Sequence, residues 1–311
     1  MRNGHVGRTV LTVGALTRNQ IAARLAGPGL FLRTGPFTCC IRSNSSALLD
    51  GVCLMYGAYP IDESGFADFH LQVRRSTGWR RWFRPQVHFD TDGEAPFEPM
   101  PADHAFALLE WMLNWCVSGS ANSYLIIHAA VVEKNGRAMV LPAPPGSGKS
   151  TLCAALASRG WRLLSDELTL INLDNGFVTP LARPVSLKNA SIAVMKAYAP
   201  DAQFTRSAVA TTKGTVAHVK APDASVARND EPAPVAWVVF PRYEAGAALA
   251  LAPVARARAY MRVAENAFNF SLTGERGFQA LGGVIDRCSS FDFIYSDLDE
   301  AIALFDAMAH A

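Results

Sequence analysis

A glycine-rich segment in the middle of the chain combines residue types that bind phosphate. Residues 141–151 read Leu-Pro-Ala-Pro-Pro-Gly-Ser-Gly-Lys-Ser-Thr. This matches the second half of the phosphate-binding-loop (P-loop) pattern, in which a glycine turn precedes Gly-Lys-Ser/Thr at the start of a helix. Small residues let backbone N–H groups point at phosphate oxygens, and the positive end of the helix strengthens the attraction. The segment therefore predicts a site for nucleotide phosphates.

The pattern assigns a role to each position of the loop. The residues expected to bind the nucleotide are Gly146, Ser147, Gly148, Lys149, Ser150 and Thr151. Lys149 reaches the outer phosphates in this pattern, and the Ser150 hydroxyl is a ligand of Mg²⁺. Ala143 stands where the strict pattern has its first glycine. The alternative interpretation is a Gly/Pro-rich turn from strand to helix that binds nothing.

The flanking residues supply the strand and the helix that such a loop needs. Residues 138–141 form a short apolar run that is typical of a buried strand. Residues 152–157 are helix formers with apolar spacing, and Gly160 is a plausible helix end. This context of strand, loop and helix favours a binding site over a chance match.

A histidine lies in the predicted strand upstream of the loop. Residues 125–132 form an apolar run that contains His128, and a turn at 133–136 follows it. The next strand enters the loop directly, so the sequence predicts an antiparallel hairpin ahead of it. A lone histidine in an apolar strand is more often structural than catalytic.

An acidic pair follows the predicted helix. Asp166 and Glu167 lie between two apolar runs, 161–164 and 168–171. Carboxylates beside a strand are the usual metal ligands and bases of P-loop proteins. One strand–helix–strand unit brings such a pair to the sheet edge that carries the loop. We therefore expect Asp166 to be catalytic and Asp166, Glu167 and Ser150 to bind the metal, whereas without the loop the pair is a solvated turn.

Together these residues resemble the catalytic domain of HPr serine kinase/phosphorylase. The closer resemblance is to the HPr-kinase-related proteins encoded with peptide-modification genes, including the kinases of lasso peptides. It rests on His128, the Gly146–Ser150 segment and the Asp166–Glu167 pair, and it covers about residues 120–290. The superfamily shares its core with ATP-type phosphoenolpyruvate carboxykinases. The resemblance implies an α/β fold with a P-loop core of this type and a smaller N-terminal α+β domain.

The same resemblance implies an activity. It points to an ATP-dependent kinase that transfers the γ-phosphate to a hydroxyl, on a serine of a peptide or small protein, with ATP and Mg²⁺ as cofactors. Lys149 and Ser150 would bind phosphates and Mg²⁺, and Asp166 would take the proton from the attacking hydroxyl. His128 would sit beside Asp166 and tune it. Glu167 occupies the second acidic position, where the HPr kinases carry Asp.

Further basic residues are candidates for phosphate or substrate contacts. Arg183 and Lys188 belong to a segment, 182–189, that resembles the related-kinase branch, and Arg242 follows a predicted strand. Lys213 is a weaker candidate, because a surface lysine is usually only a solvated charge. The glycine-rich signature that HPr kinases carry in this region is not found, which argues against HPr as the substrate and against phosphorylase activity.

Composition bounds the classes of protein that fit. The 311 residues are 50% hydrophobic and 18% charged, which predicts two compact domains and excludes a disordered chain. We place an N-terminal α+β accessory domain at residues 1–117 and the catalytic domain at 118–311. A formal net charge of +2 does not suggest nucleic acid as the partner. One stretch, 74–84, interleaves basic and aromatic residues. Such a stretch can contact RNA, a membrane or an acidic peptide, but it is more often the solvated face of a hairpin.

The remaining features concern location and assembly. Six cysteines show no metal-ligand spacing, which favours reduced thiols in a cytoplasmic protein. No apolar run reaches the ~20 residues that span a membrane. Residues 201–230 mix Lys, Pro, Asp and Ala, and the pieces 221–224 and 229–232 are expected to be exposed loops. The segment could close over substrate or be a surface excursion. The N-terminal domain could recognise substrate, form a homo-oligomer contact or simply cover the core.

Two alternatives to the kinase remain open. The chain could be an NTP hydrolase that uses the loop as a conformational switch. It could also be a nucleotide-sensing scaffold in which Ala143 and the divergent second half have abolished turnover.

Overall fold

The computed structural model describes residues 10–77, 83–91, 93 and 95–310 as mixed α/β structure. Contacts divide the chain into two compact units, Met1–Phe106 and Ala107–Ala311. The sequence predicts a boundary after residue 117, which lies inside helix α3 (Ala105–Ser120). Nearly all of this apolar helix belongs to the second unit.

The first unit contains a five-stranded sheet and two helices. In the described part of this unit the strands follow the order β1-β2-β3-β4-β5, with β2 and β3 parallel and the other pairs antiparallel. Their bounds are β1 Leu30–Thr34, β2 Phe37–Ser43, β3 Phe69–Arg75, β4 Gln86–Thr91 and β5 Met100–Pro101, with helices α1 Arg18–Ala26 and α2 Ser46–Met55. Thr17 and Gln20 form a capping box at the start of α1. The centre of the predicted basic hairpin, 78–82, lies outside the described residues.

The second unit is built on an eight-stranded mixed sheet with the order β10-β9-β6-β7-β14-β16-β15, in which β8 also pairs with β6. A three-stranded sheet has the order β11-β13-β12. The strands are β6 Tyr124–Lys134, β7 Arg137–Pro142, β8 Arg162–Ser165, β9 Leu168–Asn172, β10 Val178–Thr179, β11 Val185–Lys188, β12 Ala208–Thr211, β13 Gly214–Val219, β14 Val235–Tyr243, β15 Ala250–Pro253 and β16 Ser289–Tyr295. The helices after α3 are α4 Lys149–Ser158, α5 Ala190–Tyr198, α6 Asp223–Ala227, α7 Arg256–Glu265, α8 Phe270–Arg287 and α9 Leu298–His310.

Strand β6 organises the larger sheet. It pairs antiparallel with β7, which confirms the predicted hairpin, and antiparallel with both β8 and β9. Val131 lies opposite Ser165 and His128 lies opposite Leu168, so the acidic pair falls where β8 gives way to β9. A simple strand–helix–strand unit would place β8, the strand that follows α4, beside β7. In the structure β6 lies between β7 and β8.

One face of β6 packs into the core and the other carries the histidine. Leu125, Ile127 and Val131 join residues of β14 and α8 in a buried cluster. Since side chains alternate along a strand, His128 faces the opposite side of the sheet. Helix α4 follows β7 after the glycine segment, as the flanking sequence predicts.

The segment 201–230 contains more regular structure than its mixed sequence indicates. It contains β12, β13 and α6, and β13 pairs along its length with β11. Of the two predicted loops, 229–232 lies outside any helix or strand, whereas 221–224 leads into α6 and its Ala221 is buried. None of the helices in the described ranges is both long enough and apolar enough to cross a membrane.

Candidate functional site

The glycine segment forms a turn that presents the start of α4 to solvent. Gly146 and Gly148 have φ values of 88° and 87°, a left-handed conformation that glycine adopts without strain. Gly148 is the N-cap of α4 and provides no side-chain cap. The first N–H groups of a helix have no intrahelical partner, so those of α4 are available to an anion.

Two neighbouring strands hold this turn in place. The Tyr243 N–H of β14 donates to the Ser147 carbonyl at 2.9 Å, and the Tyr295 hydroxyl of β16 donates to the Gly148 carbonyl at 3.1 Å. A Cβ atom on Gly148 would lie 2.4 Å from Tyr295 Oη and 2.9 Å from Tyr243 Cβ. Glycine at 148 is thus required both by its φ and by the close approach of these tyrosines.

A large open cavity of about 580 Å³ adjoins the turn. The residues that line it come from the glycine segment, the acidic pair, the end of β11, helix α5 and the start of α9. They include His128, Pro144, Pro145, Gly146, Ser147, Gly148, Lys149, Ser150, Thr151, Glu167, Ser186, Lys188, Asn189, Tyr198, Tyr243, Tyr295, Asp297 and Asp299. Six of these were predicted as the nucleotide-binding loop, and all six line the cavity.

Lys149 is buried beside this cavity, and its ammonium group has no hydrogen-bond partner among the described residues. Its side chain lines the cavity, the residue is only 6% exposed, and no hydrogen bond to Nζ is found among the described residues. Burial lowers the pKa of Lys149, while the charges of Asp166 and Glu167 act in the opposite direction. An ammonium group in this position is suited to binding an anion that enters the cavity.

Asp166 lies behind the loop in a small cavity of about 20 Å³. Its Oδ2 accepts a hydrogen bond from the Ser186 N–H at 3.0 Å. Burial, and then the neighbouring charge of Glu167, raise the pKa of Asp166 to about 6, against the lowering effect of Lys149 and Ser150. A carboxylate of this pKa can accept a proton near neutral pH.

Glu167 lines both cavities. Its Oε2 accepts a hydrogen bond from the Asn114 amide, and its Oε1 lies 3.9 Å from Lys188 Nζ. Burial by itself raises the pKa of Glu167, but the charges of Lys188, Lys213 and other cations outweigh it and lower the pKa. Glu167 is therefore held as a carboxylate at the junction of the two cavities, where Ser186 is also shared.

His128 is a neutral histidine on the wall of the large cavity. Burial, followed by the charge of Lys149, lowers the pKa of His128 to about 4. The negative charge of Glu167 acts in the opposite direction. The ring lies 5.8 Å from that of Phe268, and the backbone N–H donates to the Asn266 carbonyl at 2.7 Å. The charges that act on His128 are thus those of three lysines, Lys149, Lys188 and Lys213, and of Glu167, the second residue of the acidic pair.

The structure separates the basic candidates. Lys188 lines the large cavity, while Arg183 lines the small one. Arg242 is 65% exposed on its side chain and pairs with Glu244 at 3.0 Å, and it lines neither cavity. Lys213 lies 4.9 Å from the centre of the Trp111 ring. The charge of Lys213 lowers the pKa of both Glu167 and His128. Lys213 therefore contributes to the electrostatics of the site, although its sequence context indicates only a solvated charge.

Sequence reasoning missed the contribution of α3. Glu110 and Asn114 lie one turn apart on this otherwise apolar helix and reach into the small cavity. Arg183 pairs with Glu110 at 3.5 Å and donates to Asn114 Oδ1, while Asn114 donates to Glu167. The sequence signal for this contribution is the presence of two polar residues, at positions i and i+4, on one face of a largely apolar helix.

The oxygen atoms of the site fit Mg²⁺ bound together with a nucleotide. Ser150 and Glu167 line the large cavity, and Asp166 lies directly behind, so hydroxyl and carboxylate oxygens converge beside the glycine turn. Within the described ranges, no group of three or more His, Cys, Asp or Glu side chains could hold a metal. Mg²⁺ usually binds through one or two carboxylates and substrate phosphates, which is the arrangement these residues offer.

Comparison with known proteins gives one family match. Residues 101–191 match the family described as SynChlorMet cassette protein ScmC, a peptide-modification-associated cassette family. The matched range runs from the end of the first unit through α3, the hairpin, the glycine segment, the acidic pair and β11. The search of curated proteins gave no match.

Proposed function

We propose that this protein is an ATP-dependent kinase with an HPr-kinase-like P-loop core, which phosphorylates a hydroxyl of a peptide or small protein. The observation that carries the proposal is the buried Lys149, a residue that lines the large cavity and whose Nζ has no hydrogen-bond partner in the described chain. Removing a charged group from water without a partner costs several kcal/mol. A phosphate bound at the uncapped start of α4 would supply the missing partner.

The residues around Lys149 support phosphate binding over binding of another anion. The backbone N–H groups of the glycine turn and of the first turn of α4 act with the Lys149 ammonium on the same oxygens. The left-handed Gly146 and Gly148 allow the backbone to approach a ligand closely. Tyr198 and Tyr243 also line this cavity, whose volume of about 580 Å³ leaves room for a nucleoside.

Transfer of the phosphoryl group needs charge neutralisation and a proton acceptor. Bound Mg²⁺ would neutralise charge on the β- and γ-phosphates, with oxygens of Ser150, Asp166 and Glu167 available to hold it. Asp166 accepts the proton of the acceptor hydroxyl while the hydroxyl oxygen forms its bond to the γ-phosphorus and ADP leaves. Its pKa of about 6 suits this role, which is expected to contribute roughly 10²–10⁴-fold.

His128 and Lys188 complete the acceptor side of the cavity. A neutral His128 can hydrogen-bond the acceptor hydroxyl without adding a charge beside Lys149. Lys188 lines the same cavity, with its Nζ 3.9 Å from Glu167 Oε1, and can bind an anionic group of the acceptor or the transferred phosphate. The match to a cassette family associated with peptide modification supports a peptide as the acceptor.

The test is the transfer of label from γ-³²P-ATP with Mg²⁺. Wild-type protein would be compared with Lys149→Ala and Asp166→Asn, using peptides encoded in the same gene cluster, HPr, and no acceptor. Arg242→Ala is the matched control, because Arg242 is exposed and lines neither cavity. We expect label on a peptide with wild type and the control, and loss of label with the other two variants.

Each other outcome leads to a different conclusion. Phosphate released only to water would replace the kinase with a nucleotide hydrolase. Binding of ATP without turnover on any acceptor would favour a nucleotide sensor. Transfer that persists in Lys149→Ala would show that the glycine turn is not the phosphate site.

A further inference from the structure

We propose that Asn114 is a positioning residue that holds Glu167 in the orientation needed for metal and nucleotide binding. The inference rests on the proposed function, because it concerns the same cavity. It identifies α3 as part of the machinery, although α3 lies outside the glycine turn and the acidic pair.

The contacts run as a chain from α3 to the large cavity. Glu110 pairs with Arg183, Arg183 donates to Asn114 Oδ1, and Asn114 Nδ2 donates to Glu167 Oε2. Glu110 is 4% exposed and Arg183 is 8% exposed, so these charges are almost fully buried. A buried polar chain of this kind is costly unless its members satisfy one another.

Arg183 determines which way the Asn114 amide points. A guanidinium group can only donate hydrogen bonds, so it must face the amide oxygen. The amide nitrogen is then directed at Glu167, which as a carboxylate can only accept. The order of donors and acceptors is therefore fixed from one end to the other.

The two carboxylate oxygens of Glu167 therefore have different partners. Asn114 binds Oε2, while Oε1 remains on the side of Lys188 and the large cavity. Without Asn114, the carboxylate would be free to turn towards the surrounding lysines, of which Lys188 is already 3.9 Å away. Both of its oxygens could then be drawn to lysines, and neither would be held for the metal.

The test compares Asn114→Asp and Asn114→Ala with wild type in nucleotide binding at increasing Mg²⁺. The aspartate has the same shape and still accepts from Arg183, but as a carboxylate it cannot donate to Glu167. Ser118→Ala is the control on the same helix, since the Ser118 hydroxyl bonds only the Trp115 carbonyl among the contacts found. Binding would be followed with a fluorescent ATP analogue, and transfer with labelled ATP.

Loss of a group that orients a metal ligand typically costs 10–100-fold in metal affinity. We expect both Asn114 variants to need about 10–100-fold more Mg²⁺ for half-maximal nucleotide binding, and we expect saturating Mg²⁺ to restore it. A merely structural role would lower the folded fraction at every Mg²⁺ concentration, and Mg²⁺ would not rescue it. The alanine variant serves if the aspartate variant does not fold.

The two proposals fail in different ways. An unchanged Mg²⁺ requirement in folded Asn114 variants would overturn the positioning role and leave the kinase intact. Wild-type protein that binds nucleotide equally with and without Mg²⁺ would also overturn it. Wild-type protein that binds no nucleotide at all would overturn both proposals.

Discussion

Asp166 and Glu167 are adjacent in the chain, yet their carboxylates have pKa values shifted in opposite directions. Burial and the charge of Glu167 raise the pKa of Asp166 to about 6. Burial also acts on Glu167, but lysines around it outweigh the effect and lower its pKa. The pair lies where β8 gives way to β9, so successive side chains meet different surroundings. One carboxylate is thus suited to accept a proton and the other to remain charged.

Replacement of Asp166 by Asn should stabilise the protein at neutral pH. The folded-state pKa is raised from 3.8 to about 6, so folded protein binds this proton more tightly than unfolded chain does. Stability from this group is present below pH 4 and is lost as the pH rises to about 6. We expect Asp166→Asn to gain about 3 kcal/mol at pH 7 in urea unfolding, and none at pH 3.5.

Replacement of Glu167 by Gln should have the opposite effect. The pKa of Glu167 is lowered, so the charged form stabilises the fold above the ordinary pKa and the effect disappears as the pH falls. A neutral glutamine leaves Lys188 and Lys213 uncompensated, and we expect a lower unfolding midpoint at pH 7. Equal shifts for Asp166→Asn and Glu167→Gln would contradict this account of the pair.

Lys149 should behave as a residue kept for binding at a cost to stability. Lys149→Met removes a buried ammonium that lacks a hydrogen-bond partner in the described chain, so nucleotide-free protein should unfold at a higher temperature. Mg²⁺-ATP should raise the melting temperature of wild type and leave that of the variant unchanged. Lys196→Met, at an exposed position of α5, is the matched control and should respond to nucleotide as wild type does. A nucleotide-dependent shift in Lys149→Met would contradict the assignment.

Much of the second unit is predictable because its signals are local. The apolar runs that flank the glycine segment become β7 and α4, and the hairpin with His128 becomes β6 and β7. Glycine fixes the turn because left-handed φ values are needed at both 146 and 148. These features depend on residues only a few positions apart, so the local sequence is enough to predict them.

The rest of the site depends on contacts between distant segments. Asn114 and Glu167 are 53 positions apart, and Arg183 is 69 positions from Asn114. No local pattern indicates that α3 meets this part of the chain. Arg242 illustrates the converse, because a strand does deliver it, but to an exposed ion pair with Glu244. Sequence context predicts the element and not the direction in which its last residue points.

The two left-handed glycines should differ in their tolerance of alanine. At Gly146 a Cβ atom would have no neighbour within 4 Å, so alanine adds only backbone strain of about 1–2 kcal/mol. At Gly148 the same strain is joined by overlap with Tyr295 and Tyr243. We expect Gly148→Ala to lower the thermal midpoint more and to abolish nucleotide binding. Equal melting temperatures for the two variants would argue against the close approach of the tyrosines.

His128 should remain neutral across the physiological range. Burial and the charge of Lys149 lower its pKa from 6.5 to about 4. Unfolded chain therefore binds this proton more tightly, and stability from His128 is lost as the pH falls from 6.5 to about 4. Titration of the imidazole ¹³C resonances, assigned with His128→Asn, should show no transition between pH 5.5 and 8. A midpoint near 6.5 would show that His128 is solvated and outside the influence of Lys149.

The most direct test of the central claim is a crystal structure with Mg²⁺ and a non-hydrolysable ATP analogue. The account predicts density for the triphosphate at the glycine turn, with Lys149 Nζ bonded to a phosphate oxygen and the nucleoside in the cavity of about 580 Å³. It predicts an ion bound by Ser150 and at least one carboxylate of the acidic pair. A nucleotide bound elsewhere, or a cavity that stays free of nucleotide while Lys149 remains without a partner, would contradict it.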